Sequence, residues 1–511
     1  MRGGRSPRRR GDPRRHARAP HRRRVARAPR LGGGRDRATH VGRLRAAALG
    51  RRVGGEATMN RVDAALAAIA AAVSGEQGPA PRSELIGRLE RILDPADLSS
   101  SYLVLGMLRA RIPSPTDVVS FGRRWALDGL STAVKPELRA ARRGPLPRIE
   151  SRLLVDVSDT SRSPYTTGIQ RVARESIARW ERSTEIVPVR FDRGRGVLRT
   201  VADDQVVLPF RSRFVLPEIA VERERSRSIA SIARFSASRT MAIGFDCIPM
   251  TTAETCGPGM PGEFAHYLST LAHFDTVAPI STVSGDEFRG WRRMLVGAGL
   301  AGPEIVDVAL PFAVGEPADL DVRRELALAA DEPLVVVVGS HEPRKNHLRL
   351  LEACELVWRR GRRFTLVMVG GNAWSTERFV ALRDRLRSAG RAIVTRSTAT
   401  DDEVWGLYRA ASVTAFVSLN EGFGLPLAES LAAGVPAVTS DFGSMADLGG
   451  GRGAVLVDPR SPDQIADALD AVLSDPEYRA ELAGATQLPS RSWDDYADDL
   501  LTLVPSAPAT A

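Results

Sequence analysis

The sequence predicts an α/β protein of two doubly wound domains preceded by a helical stretch. Short apolar segments alternate with amphipathic helical patterns in two runs, one from residue 149 and one from residue 313. The uninterrupted apolar run Leu334–Val338 is a further sign, because a strand covered on both faces loses in-out alternation.

A chain of 511 residues has room for two such domains and an extension. Residues 1–58 hold 19 of the 72 basic residues and only three acids, Asp12, Asp36 and Glu56. That stretch carries +16 and the remainder −5, so the net +11 describes the leader and not the folded part. The leader is rich in Arg, Gly and Pro and is expected to be disordered. Met59 is a plausible start, and residues 1–58 would then be upstream sequence. The rival reading is a basic anchor for nucleic acid or anionic lipid. A secretory signal is not expected, since no apolar core follows the arginines. Cys247, Cys256 and Cys354 have no metal-ligand spacing and are too few for a disulfide framework, which points to the reducing cytoplasm.

The expected segments are a leader over 1–58, a helical extension over 59–148 and a first α/β domain over 149–312. A second α/β domain over 313–490 and a terminal helix with its tail over 491–511 follow. In the extension, helices are expected at Val62–Val73, Ser83–Leu93 (with Ser83 as cap), Tyr102–Arg111 and Thr116–Leu130. Arg152–Val157 then opens the first domain as a buried strand, and a helix begins at Gly168 after a polar loop. Strands are expected at Glu185–Phe191, Met241–Phe245, Thr276–Ile280 and Glu304–Val308, with helices at Gly262–His273 and Val283–Val296. The pattern breaks around Phe312–Asp331, where the linker is placed. In the second domain, strands are expected at Leu334–Val338, Phe364–Val369, Ala392–Thr395, Val413–Leu419, Ala437–Ser440 and Ala454–Val457. A helix capped by Asn346 runs to Gly361, and Trp493–Val504 forms the last one. His341, His347, His266 and His273 lack metal or triad pairing and are expected in loops or on the surface.

Two loops carry the chemistry. Gly339-Ser-His-Glu-Pro-Arg-Lys-Asn346 follows the buried strand, at the strand end where open α/β sheets bind ligands. Arg344 and Lys345 could there neutralise a diphosphate, whose charge grows as a bond to it breaks. Glu421-Gly-Phe-Gly-Leu-Pro-Leu-Ala-Glu429 follows another apolar run. Ionised carboxylates accept hydrogen bonds from sugar and ribose hydroxyls. Glycines let backbone N–H groups approach a phosphate, and Pro426 suits the first helical turn. Glu421 on the loop and Glu429 on the helix are expected to face one pocket.

The Glu421–Glu429 stretch resembles the E-x7-E signature of retaining nucleotide-sugar glycosyltransferases of the family 4, or group 1, type. Gly339–Asn346 resembles their G-x-x-x-P-R-K-N loop, and Asp156–Val172 a loop with a T-G-I-Q-R-V pattern. The resemblance covers roughly residues 150–504. It implies the GT-B fold, with two Rossmann-like domains facing a cleft and a last helix that crosses back. Arg344, Lys345 and Glu421 carry over as catalytic residues. Gly339, Arg344, Lys345, Glu421, Gly422, Phe423, Gly424, Leu425 and Glu429 carry over as donor-binding, with Glu429 on the ribose and Glu421 towards the transferred sugar. Gly168 and Asp246 carry over to the acceptor side. Relatives often have His-Asp where this chain has Phe245-Asp246, so a role that needs imidazole is lost there. Arg171 has two readings, phosphate ligand or ion pair, and Trp374 is expected beside the site or in loop packing.

The implied reaction moves a hexose or deoxyhexose, mannose among the candidates, from a nucleotide diphosphate sugar to a hydroxyl of a glycan or lipid-linked acceptor. Neither cofactor nor metal is expected, and no specific nucleic acid. Implied partners are the donor, the acceptor and, peripherally, the inner membrane face; the setting is cytoplasmic synthesis of cell-surface polysaccharide. The rival readings are a nucleotide-sugar epimerase of similar architecture and a non-catalytic sugar-nucleotide-binding protein.

Overall fold

The C-terminal sheet has six parallel strands in the order Ile393–Arg396, Thr365–Val369, Leu334–Val338, Val413–Phe416, Ala437–Ser440, Ala454–Val457. Chain order reverses between Leu334–Val338 and Val413–Phe416, and this switch point opens a crevice at the carboxyl ends of both strands. All five residues of Thr365–Val369 and all four of Val413–Phe416 are buried, as helices on both faces require.

The N-terminal sheet has seven strands in the order Leu198–Thr200, Ile186–Phe191, Leu153–Asp156, Arg213–Leu216, Arg239–Gly244, Thr276–Pro279, Glu304–Ile305. Only its edge pair, Ile186–Phe191 with Leu198–Thr200, is antiparallel. Its switch point lies between Leu153–Asp156 and Arg213–Leu216. The second of these, Arg213-Phe-Val-Leu216, is a central strand that the sequence pattern did not reveal. The helix Arg223–Phe235 and the two-stranded pairing of Arg148–Glu150 with Val207–Pro209 were also unanticipated.

These coordinates are a computed structural model, which describes residues 60–76, 78–141, 144–162, 167–192, 194–312, 321–329, 331–486 and 488–504. The leader, and residues 313–320 and 330 of the segment expected as linker, lie outside the described residues. The chain divides into two units, Met1–Ala57 and Thr58–Ala511, so both sheets belong to one unit.

Local chemistry fixes where helices start. Thr167 with Gln170, Ser114 with Asp117, Thr400 with Glu403 and Ser492 with Asp495 each form a reciprocal capping box, worth about 1 kcal/mol per cap. Two expected caps fail. The second extension helix begins at Arg82 after Pro81, with no side-chain cap, so Ser83 lies inside it. Asn346 precedes the helix His347–Arg359 in a left-handed conformation, but its amide donates to the Val417 and Pro459 carbonyls instead. That ties the basic loop to two neighbouring strand ends.

The extension forms helices at Arg61–Ser74, Arg82–Ile92, Leu98–Arg109 and Pro115–Asp128, then two short ones, and shares a core with one face of the N-terminal sheet. A Cβ on Gly106 would lie 2.5 Å from Leu208 Cδ1, so helix and strand meet at the glycine. At the other end, Trp493–Thr502 returns to the helix Gly168–Ser183. Fully buried Trp180 donates its indole N–H to the Ala497 carbonyl at 2.9 Å. Among the described residues no helix is long and apolar enough to cross a membrane.

Candidate functional site

Both chemistry-bearing loops lie at the C-terminal switch point. Pro343–Lys345 makes one 3-10 turn, and Leu419 N–H donates to the Arg344 carbonyl at 2.8 Å, stitching the loops together. Gly424 turns the chain into the helix Leu425–Ala432 at φ 105°, and a Cβ there would lie 2.7 Å from Met445 Sδ. Conformation and space both demand glycine.

The side chains lock across this turn. Arg344 donates one N–H to Glu421 Oε2 at 2.6 Å and to the Asn420 carbonyl at 3.0 Å, and another to Glu342 Oε1 at 2.6 Å. Lys345 Nζ donates to Glu421 Oε1 at 2.5 Å. Burial would raise the Glu421 carboxyl, but the Arg344 guanidinium and Lys345 ammonium together bring it down to about 2. Glu421 is therefore a fixed anion at neutral pH. Glu342, a buried acid inside the basic loop, was missed as Arg344's second partner, although its place two residues earlier was a signal. Gly339 lies beside the Lys345 stem, 3.6 Å from Cε for a Cβ placed there.

Glu429 sits one turn into the helix Leu425–Ala432 and is buried. The Tyr408 hydroxyl donates to its Oε2 at 3.1 Å, and Arg171 of the N-terminal domain pairs with its Oε1. Of the two readings of Arg171, the ion pair is the one present. Burial raises the Glu429 carboxyl, opposed by Arg171 and Tyr408. The two acids hold different partners, Arg344 and Lys345 on Glu421 and Tyr408 and Arg171 on Glu429. Glu421 lines a recess with Lys345, His347, Ser418, Gly424 and Met445, whereas Glu429 is outside that lining.

The first domain closes on this turn. The Ser281 and Ser284 hydroxyls donate to the Gly422 carbonyl at 2.5 and 3.0 Å, and Ser284 also reaches the Phe245 carbonyl at 2.7 Å. A Cβ on Gly422 would lie 2.6 Å from the Phe245 carbonyl oxygen and 3.1 Å from Asp246 Cβ. Asp246 thus sits directly against the turn that carries Glu421 and Gly422. Its carboxyl accepts from Ile248 N–H at 3.1 Å and is pushed up to about 6 by burial, against the pull of Arg344. Gly168 lies opposite Leu425, 3.6 Å from Leu425 Cδ1 for an added Cβ. Phe423 is buried with its ring edge-on to Phe312. Trp374 donates to the Thr255 carbonyl at 2.9 Å, and Asn420 to the Thr251 hydroxyl at 3.3 Å, so two further contacts cross the cleft.

The histidine expectation fails in part. His341 and His347 are buried, their rings 5.0 Å apart and both packed on Phe379. Burial holds both below the usual imidazole range, His347 at about 3. They are neutral core groups under the basic loop.

The N-terminal switch point carries a cluster that was also missed. Buried Arg225 donates to Asp156 at 3.0 Å, Asp159 at 2.6 Å and Glu218 at 2.7 Å. Glu218 accepts from the Asp159 and Thr160 backbone N–H groups at 2.9 and 2.5 Å. The cluster holds the start of the loop that leads to Gly168. An Arg and a Glu seven residues apart gave no sign of it.

Comparison with known proteins places this architecture. Residues 320–487 match the family model "Glycosyl transferases group 1". The chain is 24% identical over 404 residues to the serotype-specific mannosyltransferase WbdA of Escherichia coli, covering 72% of this chain and 48% of that protein. It is 35% identical over 224 residues to the D-inositol 3-phosphate glycosyltransferase of Acidothermus cellulolyticus, covering 41% and 50% respectively. The chain thus spans about half the length of these curated relatives. Among solved structures, sucrose-phosphate synthase from Thermosynechococcus elongatus aligns with a TM-score of 0.50 at 15% identity, over 70% of this chain and 96% of that one. A UDP-forming trehalose-phosphate synthase from Burkholderia xenovorans aligns with a TM-score of 0.50 at 12% identity, over 69% and 99%. Residues 320–487 thus match the group 1 glycosyl transferase model, and they sit within a two-domain GT-B fold shared with these solved structures.

Proposed function

We propose that the protein transfers a hexose or deoxyhexose, with mannose the first sugar to test, from a nucleotide diphosphate sugar to a hydroxyl of a glycan or lipid-linked acceptor. Anomeric configuration is retained. The observation that carries the reading is the cation pair Arg344 and Lys345, held on Glu421 at the strand-end crevice, with Arg344 close enough to pull on the Asp246 carboxyl of the other domain.

In this reading Arg344 and Lys345 meet the diphosphate and stabilise the charge it gains as the bond from the anomeric carbon to phosphate oxygen breaks. The acceptor oxygen bonds to that carbon on the same face, and its proton passes to the departing phosphate oxygen. Glu421 orients both cations and presents its carboxylate towards the sugar. Glu429 takes the ribose hydroxyls, and Asp246 accepts from the acceptor hydroxyl. Cleft closure excludes water that would otherwise hydrolyse the donor.

The test is incubation of the full chain with GDP- and UDP-hexoses, with and without glycan acceptors. Acceptor-dependent release of the nucleoside diphosphate is expected, with product of unchanged anomeric configuration by NMR. Release that ignores the acceptor, alongside a changed free sugar nucleotide, would instead identify an epimerase.

A further inference from the structure

Arg171 is the cation that reaches Glu429 across the cleft. Both Glu429 oxygens are engaged, Oε2 by Tyr408 and Oε1 by Arg171. The two partners differ in freedom. Tyr408 is fully buried, belongs to Glu429's own domain and is wedged edge-on against Trp405. The Arg171 side chain is 28% exposed and reaches over from the opposing helix Gly168–Ser183. A ligand offering hydroxyl donors to Glu429 would displace Arg171 and leave Tyr408 in place.

We propose that Arg171 tunes donor selectivity by competing for Glu429: it holds the carboxylate that the vicinal hydroxyls of a ribonucleotide would take, and so tempers the preference for ribose that Glu429 confers. This rests on the reading of Glu429 as the ribose acceptor. A guanidinium bonded to a carboxylate is a charge-assisted partner. Ribose hydroxyls donating to the carboxylate must release this guanidinium, which offsets part of what their hydrogen bonds contribute. The exchange also loosens a bridge between the domains, so donor binding and cleft movement are coupled through one side chain.

The experiment measures affinities of ADP, GDP and UDP and their 2′,3′-dideoxy counterparts for the full chain by calorimetry. It is run at about pH 8, well above the ordinary carboxylate range. With Arg171→Met, the ribonucleotide is expected to bind roughly 3–10-fold tighter, as removal of a modest ion-pair competitor allows. The dideoxy form should be unchanged, so the preference for ribose widens. Arg171→Lys, which keeps a cation, should stay near the parent and serves as the folding control. Equal weakening of both forms in Arg171→Met would make Arg171 a phosphate ligand and overturn the proposal; no change in either would make the pair merely structural and overturn it as well. Glu429→Gln tests the underlying reading separately. The ribose preference should collapse there, and its persistence, or failure of all three nucleotides to bind the parent, would remove the ribose role itself.

Discussion

Arg344 and Glu421 are bonded at 2.6 Å across the switch point of the C-terminal sheet, with Lys345 on the other carboxylate oxygen at 2.5 Å. Neither cation is adjacent to Glu421 in sequence. The parallel pairing of Leu334–Val338 with Val413–Phe416 brings the two following loops side by side. Removing one partner from this part-buried pair leaves the other charge without compensation.

Glu421→Gln is expected to keep an acceptor for only one of Arg344 and Lys345, to turn a donor NH2 towards the other, and to lose the anion. Transfer should fall about 10²–10³-fold, with nucleotide binding retained within a few-fold. Arg344→Ala should lower kcat/KM by a similar factor and weaken nucleoside diphosphate binding. Full activity in both variants, measured by acceptor-dependent nucleotide release, would take both residues out of the reaction.

Gly422→Ala places a methyl 2.6 Å from a backbone carbonyl oxygen of the opposing domain, a neighbour that cannot rotate away. Each domain should fold normally, but the cleft should no longer close. Small-angle scattering should report a larger radius of gyration, and transfer should drop by more than about tenfold, as misplaced reacting groups lose orientation. Parent-like activity would show that this contact is dispensable.

Asp246 and Glu421 bend the pH–stability curve in opposite directions. The Asp246 carboxyl, pushed by burial to about 6, binds its proton more tightly than in the unfolded chain. Its cost is absent below about pH 4, grows from there to about pH 6 and persists above, at about 1–3 kcal/mol. Asp246→Asn should thus melt higher than the parent at neutral pH and match it near pH 4. The Glu421 contribution is present above its unfolded value and lost as pH falls towards about 2, so Glu421→Gln should flatten the acid limb. For the acceptor-side role, Asp246→Asn should raise KM for the acceptor more than for the donor. Equal thermal shifts at pH 4 and 7 would refute the burial account.

Arg225→Met leaves Asp156 and Glu218 buried without their shared cation. Destabilisation of about 3–5 kcal/mol is expected in chemical denaturation. Asp159, whose side chain is 53% exposed, is the contrasting end of the cluster. Asp159→Asn should cost less than about 1 kcal/mol. Similar losses in the two variants would show that burial does not set the strength of this cluster.

Local pattern alone determined most of the frame. Leu334–Val338, Ala437–Ser440 and Ala454–Val457 form as expected, and Gly168 opens its helix, because apolar runs and capping chemistry act over a few neighbouring residues. The positions of the basic loop, the acid-bearing turn and Asp246 were equally legible, since each follows an apolar run that forms a strand. Tertiary structure decided the rest. That Glu342 shares Arg344, that Glu429 turns to Tyr408 and Arg171 instead of the recess with Glu421, that His341 and His347 are buried, and that Arg225 binds three acids all depend on which strand ends become neighbours. The 258 positions between Arg171 and Glu429 carry no periodic trace of their pairing. Such contacts arise only when two sheets are closed on each other, where burial raises the cost of an unpaired charge and so selects its partner.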